Sequence, residues 1–490
     1  MLQTTATAAA FSAADLLPLL PELVLGGGAF ALLMLDLFVT DARRVATWLL
    51  GIALLLVAGW LSFAGVGGQG TVLSGMFVRD TMADVLNAGA CLLSAIALVY
   101  AWPYMKERGL HAGEVVVLVL FATLGMMLLV SAGSLVMVYL GLELLALCSY
   151  ALVAIDRDNP LASEAAMKYF VLGSLSSGLL LFGMSLLYGA TGTLDLATLR
   201  AAVEGSTETT LLLTGTVFMI GGIAFKFGAA PFHMWVPDTY QGAPTPITLF
   251  IGTAPELASF ALAFRLLEDG VGPLDEQWRL LLALLATASL VIGNLVALMQ
   301  VNLKRMLAYS AVSHIGFVFL GLAGGGAEGY AASMFYMLSY GVMSAAAFGA
   351  IIVMSGKLSG GGAFEADTLD DFRGLNQRSP WLAGMMLCAM FSLAGIPPFL
   401  GFWAKLAVLR AAIEGGMLWL AIVGIVCAVI GCFYYLRVVK VMYFDEAPQG
   451  VPEPRQDKPL RWMLGVNALA LVALGLSWSP IMAWCQAAFM

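Results

Sequence analysis

Residues 225–246 read FKFGAAPFHMWVPDTYQGAPTP and follow the apolar run LLLTGTVFMIGGIA without a polar boundary. Lys226 therefore lies at the end of a stretch able to cross a bilayer, where a charge costs roughly 2.5 to 3.5 kcal/mol on insertion scales and needs a partner or a task. Gly228 and Pro231 interrupt the helix directly after it. Broken backbone at membrane depth is tolerated only where protein buries it or where it borders a wet cavity. The stretch thus predicts a discontinuous transmembrane helix with an ionisable group at its break, the arrangement from which many transporters build ion sites.

The remainder of the chain has the composition that such a helix requires. Of its 490 residues 61% are hydrophobic and 11% charged, with a mean hydropathy of +0.92. Runs of about 20 apolar residues must recur, so the chain reads as an all-α polytopic membrane protein embedded in the lipid bilayer. Its net charge of -8 is not gathered into runs of one sign, which gives nucleic acid no footing. The six cysteines, Cys91, Cys148, Cys388, Cys427, Cys432 and Cys485, lie in apolar segments and form neither CxxC nor CxxCH, so they read as small buried hydrophobes. Three histidines, His111, His233 and His314, are too few for a bis-histidine haem together with a second metal site, so no redox cofactor or metal is expected in this chain. The amino terminus lacks a basic region and a clean cleavage site, and its first apolar span is expected to be retained.

Apolar runs predict fourteen spans between residues 16 and 488, among them span 5 at 134–155, span 6 at 163–188, span 7 at 209–237, span 8 at 245–267, span 10 at 303–323 and span 12 at 380–412. An even number puts both termini on one side. Loops that follow odd-numbered spans hold fifteen of the lysines and arginines, Lys304 among them, against five in the other loops, so both termini are expected outside the cytoplasm. Lys168, Lys226 and Lys405 remain inside spans. The polar, Gly- or Pro-rich segments 357–379 and 444–460 read as cytoplasmic linkers.

GIAFKFGAAPFHMW in span 7 is echoed by SLAGIPPFLGFWAKL in span 12, each placing Gly-Pro breakers beside a lysine. The two lie five spans apart and so insert in opposite directions, the mark of inverted repeats. The expected division is 1–112 for spans 1–3, 113–268 for the first repeat (spans 4–8), 269–443 for the second (spans 9–13), and 444–490 for a linker and span 14, with spans 7, 8 and 12 broken.

Glu143 is a lone acid near the middle of span 5. It either pairs with a lysine simply to hold helices together, which seldom improves on apolar packing, or belongs to a charge pair that a nearby proton can switch. Lys168 follows Glu164 by one helical turn and reads equally as an inlet for protons or as a snorkelling side chain. Lys405 repeats the breaker-plus-lysine pattern. His233 and His314 are imidazoles in apolar surroundings, suited either to a proton relay or to a satisfied core. The tyrosines have the spacing of helix packing and receive no role. The run LGSLSSGLLLFG, 172–183, reads as close packing or as hydroxyls along a proton path.

The signature FKFGAAPFHMWVPDTYQGAPTP, the opening LLPELVLGGGAFALLMLDLF, the run NLKRMLAYSAVSHIGF and the closing IPPFLGFWAKL together resemble the antiporter-like subunits of the bacterial proton-pumping NADH:quinone oxidoreductase, respiratory complex I. The likeness covers nearly all fourteen spans. The PDTYQGAPTP wording, a lysine at position 405 and the lack of a long carboxy-terminal lateral helix favour the subunit N branch. The resemblance implies a proton translocase in the bacterial inner membrane whose partners are the other membrane-arm subunits. NADH, FMN, iron–sulfur clusters and quinone would be used by partner subunits, with no cofactor and no redox centre in this chain. It implies that Glu143 and Lys226 form the charge pair, that Lys168 is the span 6 lysine, that His233 and His314 link a central hydrophilic axis, and that Lys405 belongs to the exit half-channel. Where such subunits usually carry a lysine in span 8, this chain reads TAPELASF, so Glu256 stands in and is expected on the axis. A subunit of a multisubunit cation/proton antiporter and an inert scaffold remain the other two readings.

Overall fold

The structure is a computed structural model describing residues 13–357, 363–447 and 453–490. The amino-terminal residues 1–12 and the parts 358–362 and 448–452 of the two expected linkers lie outside the described residues. The described chain is helical except for connecting loops and two short antiparallel hairpins, Gly70–Val72 with Phe77–Arg79 and Gly356–Lys357 with Ala363–Phe364.

Thirteen helices among the described residues are long and apolar enough to cross a membrane, and they coincide with expected spans 1 to 11, 13 and 14. Span 12 is divided between Pro380–Ala394 and Leu400–Glu414, of 15 residues each. Span 14 ends earlier than expected: Lys458–Leu476 stops at Ser477, and a separate helix Ser479–Ala487 begins with Pro480 in its first turn. The proline ring cannot continue a helix, which accounts for the division.

Spans 7 and 8 are broken too. Span 7 consists of Thr209–Phe227, a single turn Phe232–Met234 and Trp235–Gly242. Span 8 consists of Thr245–Ile251 and Ala254–Phe264, separated at Thr253, whose φ of -132° and ψ of -79° are not helical. Glycine is required at two of the breaks. Gly228 (φ +66°) ends the first half of span 7, and a Cβ there would come within 2.4 Å of Val236 Cγ2. Gly395 (φ +85°) plays the same part in span 12, where a Cβ would come within 2.8 Å of Lys405 Cδ. Freed backbone groups at the span 7 break find partners inside the protein: Trp235 Nε1 donates to Phe225 O at 2.9 Å and Ala230 N to Ser289 Oγ at 2.9 Å.

Burial sorts the spans. Spans 8 and 10 have 94% of their most apolar window buried and span 11 has 89%, against 33% for spans 6 and 14. The broken span 8 thus lies at the centre of the bundle, packed against spans 3, 4 and 11, while spans 6 and 14 lie at its edge.

The expected linker 357–379 is fastened to the bundle. Glu365 accepts hydrogen bonds from Tyr104 Oη (2.6 Å), Arg108 Nη2 (3.0 Å) and Thr245 Oγ1, and Asp367 accepts from Asn302 Nδ2 at 2.7 Å. One short segment therefore ties the end of span 3 to the beginnings of spans 8 and 10. Lys304, counted above among loop cations, is instead buried and donates to Ala243 O at 2.7 Å. Packing of the span 10 start against the carbonyl left free behind Trp235–Gly242 draws it inward.

Candidate functional site

Lys226 lies in the last turn of Thr209–Phe227, beside the break. It borders a cavity of about 20 Å³ whose walls include Tyr150, Tyr169, Ser176, Ser177 and Trp235, room for about one water. Ser176 and Ser177 come from the 172–183 run. Gly173 in the same run is held against Tyr150, whose hydroxyl would lie 1.9 Å from an added Cβ, so close packing and a hydroxyl lining occur together.

Among the described residues Lys226 forms no direct ion pair. Two carboxylates, Glu256 and Glu143, lie close enough to act on it through space. Glu143 Oε1 and Glu256 Oε2 are both buried without a hydrogen-bond partner among the described residues. Glu256, 5% exposed in the first turn of Ala254–Phe264, faces neither lipid nor a loop.

From Glu256 the ionisable groups continue through tyrosines. Its charge acts on the buried hydroxyls of Tyr169, Tyr240 and Tyr340. The Tyr340 ring lies 4.9 Å from that of His314. His314 is buried, with Nδ1 2.7 Å from Tyr336 Oη and Nε2 3.0 Å from Tyr435 Oη, and Tyr435 Oη also meets Ser310 Oγ. The next charge to act on His314 is Lys405.

Lys405 occupies the break of span 12. Its Nζ donates to Leu393 O and Ala394 O, both at 2.9 Å, and lies 5.3 Å from the centre of the Phe317 ring. The two carbonyls end the half-helix Pro380–Ala394, where the helix dipole favours a cation.

The other two expected site residues lie apart from this succession. His233 is half-buried on the turn between the halves of span 7. Its Nδ1 has no partner among the described residues, and its ring is 6.1 Å from Tyr309. Lys168 is 44% exposed and holds both Glu164 Oε1 and Asp238 Oδ2 at 2.8 Å, while Arg305 Nη1 reaches Asp238 Oδ1 at 2.7 Å. Asp238, Tyr336, Tyr340 and Tyr435 were not singled out from the sequence. Asp238 could have been, as an acid inside the quoted 225–246 stretch. The tyrosines could not, since nothing in their spacing separates them from the other eleven of the chain's 14. Among the described residues no three His, Cys, Asp or Glu side chains are grouped to hold a metal ion.

The family model described as NADH:quinone oxidoreductase/Mrp antiporter, transmembrane, matches residues 132–431. A protein of Xanthomonas euvesicatoria pv. vesicatoria (strain 85-10) named NADH-quinone oxidoreductase subunit N is 66% identical over 489 residues, covering 100% of this chain and 99% of that protein. One of the same name from Thioalkalivibrio sulfidiphilus (strain HL-EbGR7) is 48% identical over 469 residues, 95% of this chain and 96% of its own. Among solved structures, a chain of respiratory complex I from Thermus thermophilus with bound aureothin has a TM-score of 0.81 at 30% identity, covering 96% of this chain and 100% of that one. A chain of the Mrp complex from Dietzia sp. DQ12-45-1b has a TM-score of 0.80 at 22% identity, covering 97% and 96%, a likeness of fold alone.

Proposed function

The chain belongs to the subunit N branch of the NADH:quinone oxidoreductase/Mrp antiporter family, and from that premise we propose that its succession of buried ionisable groups carries protons across the membrane. It is a multi-pass membrane subunit of NADH-quinone oxidoreductase, one among the several subunits of that complex. Electron transfer from NADH to quinone, with FMN and iron–sulfur clusters, takes place in the partner subunits, and this chain supplies the proton path. Its membrane is the bacterial inner membrane, with both termini on the outer side. The two inverted repeats, spans 4–8 and 9–13, each contribute one lysine at a broken helix.

The observation that carries this reading is the order Lys226, Glu256, Tyr340, His314, Lys405, in which each group acts on or touches the next. Buried polar atoms almost always have a partner, so the orphaned oxygens of Glu143 and Glu256 call for a proton or a water. Glu143 and Glu256 compete for the Lys226 ammonium. A charge change arriving from the quinone side withdraws Glu143, the ammonium loses part of its stabilisation, and one proton leaves Lys226 Nζ for the Glu256 carboxylate. A neutral amine and a neutral acid result. Lys405 first releases its own proton towards the outer side; the acid then passes its proton through the Tyr340, His314 and Tyr435 group to the neutral Lys405 amine, and Lys226 is reloaded from the side of Lys168.

Replacing Lys226 with alanine tests this. Proton transport per NADH oxidised in inverted membrane vesicles should fall at least about tenfold, while the amount of assembled complex changes little. Normal transport by well-assembled mutant complex would defeat the proposal.

A further inference from the structure

At the start of span 14 a groove of about 610 Å³ is lined by Trp381, Lys458, Arg461, Trp462, Gly465 and Leu469, with Gln456 at its rim. Two features mark it as a binding site. Its cations are unpaired: neither Lys458 nor Arg461 forms an ion pair with a carboxylate among the described residues, and the undescribed segments contain no acidic residue. At the same end Arg108, Lys168, Arg305, Lys440 and Arg455 each have a carboxylate partner, and Lys304 and Arg437 are taken up by backbone carbonyls. Arg461 is also held in place, its guanidinium 4.7 Å from the centre of the Trp381 ring and an Nη1–H bonded to Gln456 Oε1.

The second feature is depth. From Lys458 the groove follows the helix past Gly465 to Leu469, eleven residues and so about 16 Å, close to half of a bilayer's roughly 30 Å hydrocarbon core. Trp462, 75% exposed, stands at the level where tryptophans anchor to the membrane interface. A pair of fixed, unneutralised cations above an apolar trough one leaflet deep matches a single kind of molecule.

We propose that this groove binds an anionic phospholipid, its phosphate held by Lys458 and Arg461 and one acyl chain lying along Gly465 and Leu469. The inference needs only that span 14 crosses the bilayer and stands independently of the proton path.

The test uses the intact complex reconstituted in liposomes with phospholipids carrying a photoactivatable acyl chain, either phosphatidylglycerol or phosphatidylcholine. At about fivefold per basic residue, labelling of residues 456–469 should favour the anionic probe about 25-fold. Lys458→Gln with Arg461→Gln should bring it down to the level of the zwitterionic probe, while Arg461→Lys keeps most of the preference. Should the double variant fail to assemble, Lys458→Gln alone alters an exposed, unpaired side chain and should lose about fivefold. Equal labelling by both probes would overturn the proposal. So would labelling by neither, which would mean that a protein neighbour covers the groove.

Discussion

His314 has a tyrosine hydroxyl at each ring nitrogen, Tyr336 at 2.7 Å and Tyr435 at 3.0 Å. A neutral imidazole has one N–H and one lone pair, so one hydroxyl must accept and the other must donate. Exchanging the two tautomers reverses both bonds, and a proton entering at one nitrogen can leave at the other. Tyr435→Phe keeps the ring volume and removes only the hydroxyl, which leaves His314 Nε2 buried without its partner at a cost of about 1 to 3 kcal/mol. Proton transport per NADH should fall while assembly is kept. An unchanged ratio would make His314 a packing residue. The swap at position 256 acts on the same scale: an acid between Lys226 and Lys405 can receive a proton from one and pass it towards the other without a run of like charges in the core.

The helices of this bundle differ chiefly in whether they are interrupted. At spans 7 and 12 a left-handed glycine ends the first half and a lysine sits beside the carbonyls or cavity so exposed. Span 8 is broken without such a glycine, and its first residue, Thr245, is held by Glu365. The Glu365 segment is the mechanical link between the end of span 3 and the start of span 8. Glu365→Ala would leave Tyr104, Arg108 and Thr245 without their shared acceptor, destabilising this end by about 1 to 3 kcal/mol. Amide hydrogen exchange over 245–251 should quicken, and exchange unchanged from the wild type would show that the strap does not hold span 8. The same picture separates Lys168 from the core groups. It joins Asp238 and Arg305 in an exposed ion-pair group whose separate pairs are each worth little, which suits a surface where protons collect.

For the whole molecule, orientation decides which end loads and which end releases protons. Loop cations predict spans whose odd-numbered exits face the cytoplasm. Arg157→Cys, on an exposed side chain after span 5, should react with a membrane-impermeant thiol reagent only from the cytoplasmic side, and Arg410→Cys, equally exposed, only from the outer side. The opposite pattern would invert the topology and with it the direction of transport. Burial of spans 8, 10 and 11 keeps Glu256 and His314 from lipid and bulk water alike.

Span positions, the breaks at 228 and 395, and the presence of Glu143, Lys226, His314 and Lys405 inside apolar spans were legible in the amino-acid order, because hydropathy, helix breakers and charges in apolar runs are local signals; Glu256 stood out only through the family resemblance. The sequence also pointed to the family through motifs of fixed wording. Only the folded chain revealed that Lys226 lies near both Glu256 and Glu143, that Lys304 is buried, that Glu365 clamps two spans, and that three of many tyrosines surround His314 between Glu256 and Lys405. Those facts depend on which faces of distant helices meet. In a chain that is 61% hydrophobic, apolar residues cover nearly every face, so helical periodicity does not say which side of a span turns inward, and packing alone settles it.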